Sequence, residues 1–289
     1  MDAKIESWEP RRMLVGYDGS AGAKDAVALA KLLCAGTAAS VLLVNVLPAG
    51  PLPVAYRLLG YEEAPAWKTF FADAEAALDG IPTEHRTYVG GSPAEVLNDL
   101  TEKGDIDLVV VGSPHRGMIG RAVMGSVAEA LLHGATVTVV AAPRGYADRT
   151  HSSFARILVG YDGSTEAGEA LATGAAIAAH DGRELRVVCV TTLAKATPGA
   201  FGGVVPPDVP DASKLVAEGI AAVGDAADVH GSALRGEPAT ALAAFAGPED
   251  LLLVGSRSYG PVARTLLGSV SSALIHDAPC PVLVIPRPR

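Results

Sequence analysis

Hydrophobic positions alternate along the chain between short runs rich in Val, Leu and Ile and longer alanine-rich segments of helical spacing, the pattern of an α/β fold with a largely parallel sheet. In the first half the runs predict strands at Arg12 to Tyr17, Val41 to Leu47, Glu84 to Val89, Leu108 to Gly112 and Val137 to Ala142. In the second half they predict strands at Arg156 to Tyr161, Glu184 to Thr191, Asp228 to Ala233, Leu251 to Gly255 and Pro281 to Ile285. Helices fill the intervals. The third strand of each set has the weakest pattern, and the Pro- and Gly-rich segments Leu47 to Glu63 and Leu193 to Asp211 read as loops.

The two sets are copies of one another. Met13 to Ser20, MLVGYDGS, returns as Ile157 to Ser164, ILVGYDGS, 144 residues further on. A block from Leu108 to His133 aligns without gaps on Leu251 to His276, with 12 of 26 positions identical. Between these blocks a Gly-x-Pro element stands before a helical run at Gly91-Ser92-Pro93 and again at Gly236-Glu237-Pro238. Two domains follow, residues 1–146 and 147–289, joined through the polar stretch Arg144 to Phe154.

Composition narrows the function classes. At 49% hydrophobic and a mean hydropathy of +0.30, a chain of 289 residues has enough apolar surface for two cores. The net charge of −9 splits as −5 and −4 between the halves, so neither nucleic acid nor an anionic membrane is an expected partner, and phosphate recognition has to be local. Cys34, Cys189 and Cys280 are odd in number and widely spaced, which argues against a disulfide framework or zinc site and for a reducing compartment. The N-terminus lacks the apolar core of a signal peptide and no run reaches membrane-spanning length, so the expected location is cytoplasmic.

Candidate chemistry concentrates after the first and fourth strands. The Asp18-Gly-Ser20 and Asp162-Gly-Ser164 turns end one strand and let a serine cap the next helix. After the fourth strand the spacing brings Gly112 ahead of Gly125-Ser126, and Gly255 ahead of Gly268-Ser269. Glycines admit an anion close to the backbone, and a helix start offers unpaired N–H groups with the positive end of its dipole. Arg121 and Arg264, at matching places in the intervening loop, supply local positive charge. The same features also have an ordinary reading as turns and helix caps. In an open parallel sheet, however, the ends of strands one and four border the position where ligands bind.

These paired LVGYDGS and VGS…GSV…L blocks, the Gly-x-Pro element and the closing Cys280-Pro-Val-Leu-Val-Ile-Pro286 resemble the universal stress protein family in its tandem form, over nearly all of both halves. The resemblance implies two doubly wound α/β domains, each a five-stranded parallel sheet of order 3-2-1-4-5 flanked by helices. It implies ATP as ligand, alone or with Mg2+. Asp18 and Asp162 would meet the nucleoside, and Val46 and Val190 the adenine through their main chain. Gly112, Gly125, Ser126 and their counterparts Gly255, Gly268 and Ser269 would hold the phosphates. The family pattern Gly-2x-Gly-9x-Gly-Ser/Thr is broken at its second glycine, where this chain has His115 and Ser258.

Two functions follow from the resemblance. One is a nucleotide-dependent stress regulator with at most weak ATPase activity. The other is an interaction module without nucleotide, in which the closing strands pair the two halves or two chains. An adenylating enzyme lacks a visible catalytic cluster, and neither a P-loop nor a Gly-x-Gly-x-x-Gly motif is present. His133 and His276 read as helix-end residues, Cys34 and Cys189 as core, and Cys280, between prolines, as a near-surface thiol. Tyr56, Tyr61, Trp67, Phe70 and Phe71 read as an aromatic cluster packing on the first domain.

Overall fold

The computed structural model describes residues 8–47, 69–113, 127, 130–131, 136–150, 152–192, 197–198, 204–205, 211–256 and 268–286. In the first half the chain runs β1 (Arg12–Gly16), α1 (Ala21–Cys34), β2 (Ser40–Leu47), α2 (Ala72–Ala77), β3 (Thr83–Val89), α3 (Pro93–Lys103), β4 (Leu108–Gly112) and β5 (Thr138–Ala142). The second half runs β6 (Arg156–Gly160), α4 (Thr165–Asp181), β7 (Glu184–Thr191), β8 (Thr197–Pro198), β9 (Val204–Val205), α5 (Ala212–Val223), β10 (Val229–Arg235), α6 (Pro238–Phe245), β11 (Leu251–Gly255), α7 (Ser269–Asp277) and β12 (Val282–Ile285). The segment read as a loop after β7 contains the antiparallel pair β8–β9. Five residues, three of them Gly, separate two such short strands, and no alternation marks them.

Within each half the strands are parallel, in the order 3-2-1-4-5 that the family resemblance implies. The two sheets do not stand apart. Antiparallel pairing of β5 with β12, with Val140 opposite Leu283, fuses them into one ten-stranded sheet. Alternate residues of each strand point to opposite faces, giving two apolar layers. Met13, Val15, Val110, Val140, Ile157 and Leu283 share one layer with α1 and α4; Leu14, Val109, Val139, Leu158 and Val282 share the other with α3, α6 and α7. Both layers run unbroken through both halves. Strands covered on two faces need no polar alternation, which is why β4 and β12 read as continuous aliphatic runs.

The join between the halves is more ordered than its polar sequence suggests. Asp25, buried on α1, accepts hydrogen bonds from the N–H groups of Gly145 (3.0 Å) and Ala147 (2.8 Å). Tyr146 and Phe154 are buried in the core, and Arg149 donates to the Pro279 carbonyl across the join. Cys280 corrects another expectation. It is 1% exposed rather than near the surface, because the residues flanking it begin a strand at the centre of the fused sheet. Burial pushes its thiol up to about 12.

Candidate functional site

The helix starts are built by local chemistry. Ser20 and Ser164 accept hydrogen bonds from the N–H groups of Ala23 and Ala167, each at 3.2 Å, and so cap α1 and α4 as their sequences predict. Asp18 Oδ1 accepts from the Ser20 N–H and Asp162 Oδ1 from the Ser164 N–H, both at 3.0 Å, so each aspartate shapes the turn that presents it. Asp18 is exposed at the end of β1. The Gly-x-Pro elements also start helices. Ser92 and Glu95 form a reciprocal capping box on α3, with Pro93 in its first turn. Glu237 caps α6 through the N–H groups of Ala239 and Thr240, and those bonds lower its carboxyl below the usual range.

These turns surround a crevice of about 190 Å³ at the carboxyl ends of β1, β2 and β4. Asp18, Val46, Gly112 and Ser113 all line it, together with Ser20 from the start of α1 and Val127. The family resemblance puts Asp18, Val46 and Gly112 in one site, and all three line this crevice. Tyr17, Leu97 and Ser113 line it as well and are not among the expected residues, although Ser113 and Ser256 match after the repeated glycine. Burial, and then the Asp73 and Asp18 carboxylates, push the Tyr17 phenol upward, so it stays protonated beside the crevice. Phe70 and Phe71 pack against Tyr17 with ring centroids 5.5 and 5.8 Å away. Tyr56, Tyr61 and Trp67 of the expected aromatic cluster lie outside the described residues, as do Arg121, Gly125, Ser126, His115 and His133.

Gly112 has a structural duty that the sequence reading did not assign. A Cβ built there would stand 2.2 Å from the Gly22 carbonyl oxygen, so the glycine lets the first turn of α1 rest on the end of β4. Gly255 does the same against α4, where a Cβ would come within 2.7 Å of the Glu166 backbone.

The second half repeats the placement. Asp162 follows β6, Val190 lies near the end of β7 and Gly255 ends β11. Gly268 stands at the N-cap of α7 with Ser269 as its first residue, the helix start expected from the Gly-Ser pair. Among the described residues no side chain caps α7, in contrast to α1, α3, α4, α5 and α6. Arg264 and Ser258 lie outside the described residues. Among the described residues there is no cluster of three or more His, Cys, Asp or Glu able to hold a metal, and no helix is long and apolar enough to cross a membrane.

The sequence model of the universal stress protein family matches residues 9–143 and again residues 153–286. The chain belongs to this family. It is a tandem universal stress protein, and a universal stress protein of Mycolicibacterium smegmatis is 30% identical to it over 99% of this chain and 100% of that relative. A universal stress protein of Thermus aquaticus is 35% identical over 46% of this chain and 98% of its own length. Among solved structures, a universal stress protein from Archaeoglobus fulgidus superposes with a TM-score of 0.72 at 23% identity, covering 97% of this chain and 98% of the other, and supports the fold.

Proposed function

We propose that this universal stress protein binds an adenine nucleotide, ATP, in one or both halves and acts as a nucleotide-dependent regulator rather than a catalyst. The observation that carries this reading is the crevice itself. It opens beside β1, where the strand order reverses between β2 and β4, and it gathers Asp18, Val46 and Gly112 from three strand ends. Its 190 Å³ is below the roughly 300 Å³ at which ligand clefts usually begin, a size for the nucleoside, with the phosphates extending past Gly112. Asp18, exposed on the crevice, would accept hydrogen bonds from sugar hydroxyls through its carboxylate. In the second half the first amides of α7, which no described side chain caps, suit an anion. Mg2+ would arrive with the phosphates. Arg121 and Arg264 are the candidate cations, and Gly125 and Ser126 the first-half counterparts of Gly268 and Ser269.

The interaction-module reading has its own support in the β5–β12 pairing, which uses the closing strands as a joint and requires no nucleotide. A homodimer would need a further surface. Titration calorimetry with Mg-ATP separates the readings. Saturable heat is expected, with Asp18→Ala weakening binding by about tenfold, the scale of one charge-assisted hydrogen bond. Silence at millimolar ATP overturns nucleotide binding, and sustained release of ADP or pyrophosphate over many turnovers overturns the non-catalytic role.

A further inference from the structure

Asp18 meets the crevice from a turn with little of its own to hold it. Asp18 and Gly19 are both exposed, and Gly19 has a φ of +76°, so the turn carries no side chain there to pack. The freedom that lets glycine take this shape also lets an unsupported peptide leave it. The bond from the Ser20 N–H to Asp18 Oδ1 fixes the carboxylate relative to the turn, not the turn relative to the crevice. A ring from another element supplies that second constraint. Phe70, just ahead of α2, lies against Gly19: a Cβ built on the glycine would meet Phe70 Cε2 at 3.3 Å and Cζ at 3.6 Å. The same ring packs edge-on against Tyr17, with centroids 5.5 Å apart, and against Phe71, 5.1 Å apart. Phe71 is buried and stacks on His85 of β3 at 4.8 Å, so Phe70 is wedged between the turn and the core. Tyr17 and Asp18 line the crevice, and Phe70 is not among its lining residues.

The repeat shows which part of this contact matters. Gly163, with a φ of +79°, follows Asp162, and a Cβ built there would stand 3.2 Å from Leu215 Cδ2 on α5. A large apolar side chain from the helical region after the second strand therefore seats each Asp-Gly turn, an aromatic ring in one half and a leucine in the other. The other link in the first half, Lys24 to Asp73 at 3.9 Å, joins exposed side chains and carries little weight. The second half has Gly168 at the place of Lys24 and seats its turn without such a pair. We propose that Phe70 is a positioning residue for the first crevice: seated on Gly19, its ring holds the Asp18 carboxylate in the orientation that receives the ligand's sugar hydroxyls. What the position requires is apolar bulk, which leucine also provides. This inference rests on the nucleotide reading above and concerns the first half, where the crevice is observed.

Calorimetry on the full chain, with adenosine and with Mg-ATP as probes, tests it, the first site being the binding step that Asp18→Ala weakens. Phe70→Ala should weaken that step by about fivefold with both probes, the scale of one misplaced hydrogen bond. Phe70→Leu, the side chain type of the second repeat, should keep it within about twofold. In the Asp18→Ala background Phe70→Ala should cost less than about twofold, because the group it positions is gone. Without ligand, the Ser20 amide should exchange faster in Phe70→Ala and not in Phe70→Leu, while the amides in the middle of α1 keep their protection. Should Phe70→Ala fail to fold, Phe70→Val, too short to reach the turn, carries the same comparisons. An equal loss in both backgrounds, an unchanged first site or an unchanged Ser20 amide overturns the positioning role and leaves nucleotide binding standing. No heat with either probe, or heat that Asp18→Ala leaves unaltered, overturns the nucleotide reading of this crevice and the proposal with it.

Discussion

Gly112 and Gly255 look in sequence like parts of a phosphate loop, and in the structure each is also the flat place on which a helix start rests. A methyl group at Gly112 has backbone, not a yielding side-chain tip, 2.2 Å away. Gly112→Ala should therefore lower stability by about 1–3 kcal/mol, the usual cost of overpacking, with or without ligand, as read from urea unfolding. At the same scale, the three thiols make stability depend on alkaline pH. Burial raises Cys34 and Cys189 to about 11 and Cys280 to about 12 from an ordinary 9.0. Above pH 9 the unfolded chain gives up protons that the native chain keeps, so this contribution is complete below pH 9 and is lost as pH rises toward 11–12. Denaturant midpoints should fall across that window, and Cys280→Ala should flatten the fall. The caps by Ser20 and Ser164 were legible because their partners lie three residues away. The burial of Cys280 was not, because it depends on a strand from the other half.

Among the elements, the strands were readable to within two residues at their ends, since a doubly covered parallel strand writes its burial as an unbroken aliphatic run. The short ribbon β8–β9 and the packing of the join left no such periodic trace. Residues 144–154 look like a solvated tether, yet a single carboxylate, Asp25, satisfies two of the segment's amides, and two aromatic side chains pin it to the core. The matching position in the second repeat is Glu169, which is exposed, so the clasp belongs to the first half alone. Asp25→Ala leaves the Gly145 and Ala147 N–H groups without their acceptor. A loss of about 2–4 kcal/mol is expected, at one to two kcal/mol for each abandoned donor, together with faster amide hydrogen exchange at residues 144–150 than in β1.

For the whole molecule, the repeat in the sequence announces two domains, and the apolar layers disregard that boundary. Residues of both halves share each layer, and β5 and β12 exchange their hydrogen bonds at the centre of the sheet. Scanning calorimetry should accordingly show one cooperative transition with equal calorimetric and van't Hoff enthalpies, where two independent domains would give two steps. The candidate crevice was legible in outline, because strand-end residues and fold topology together fix where it lies. Its lining by Tyr17, Leu97 and Ser113 was not, since that depends on how side chains from separate elements converge. The reversal of strand direction between β5 and β12 has one more effect: the carboxyl ends of the two parallel sets point to opposite rims of the sheet. The molecule is thus a two-ended object, with the Asp18 turn at one rim and the Asp162 turn at the other.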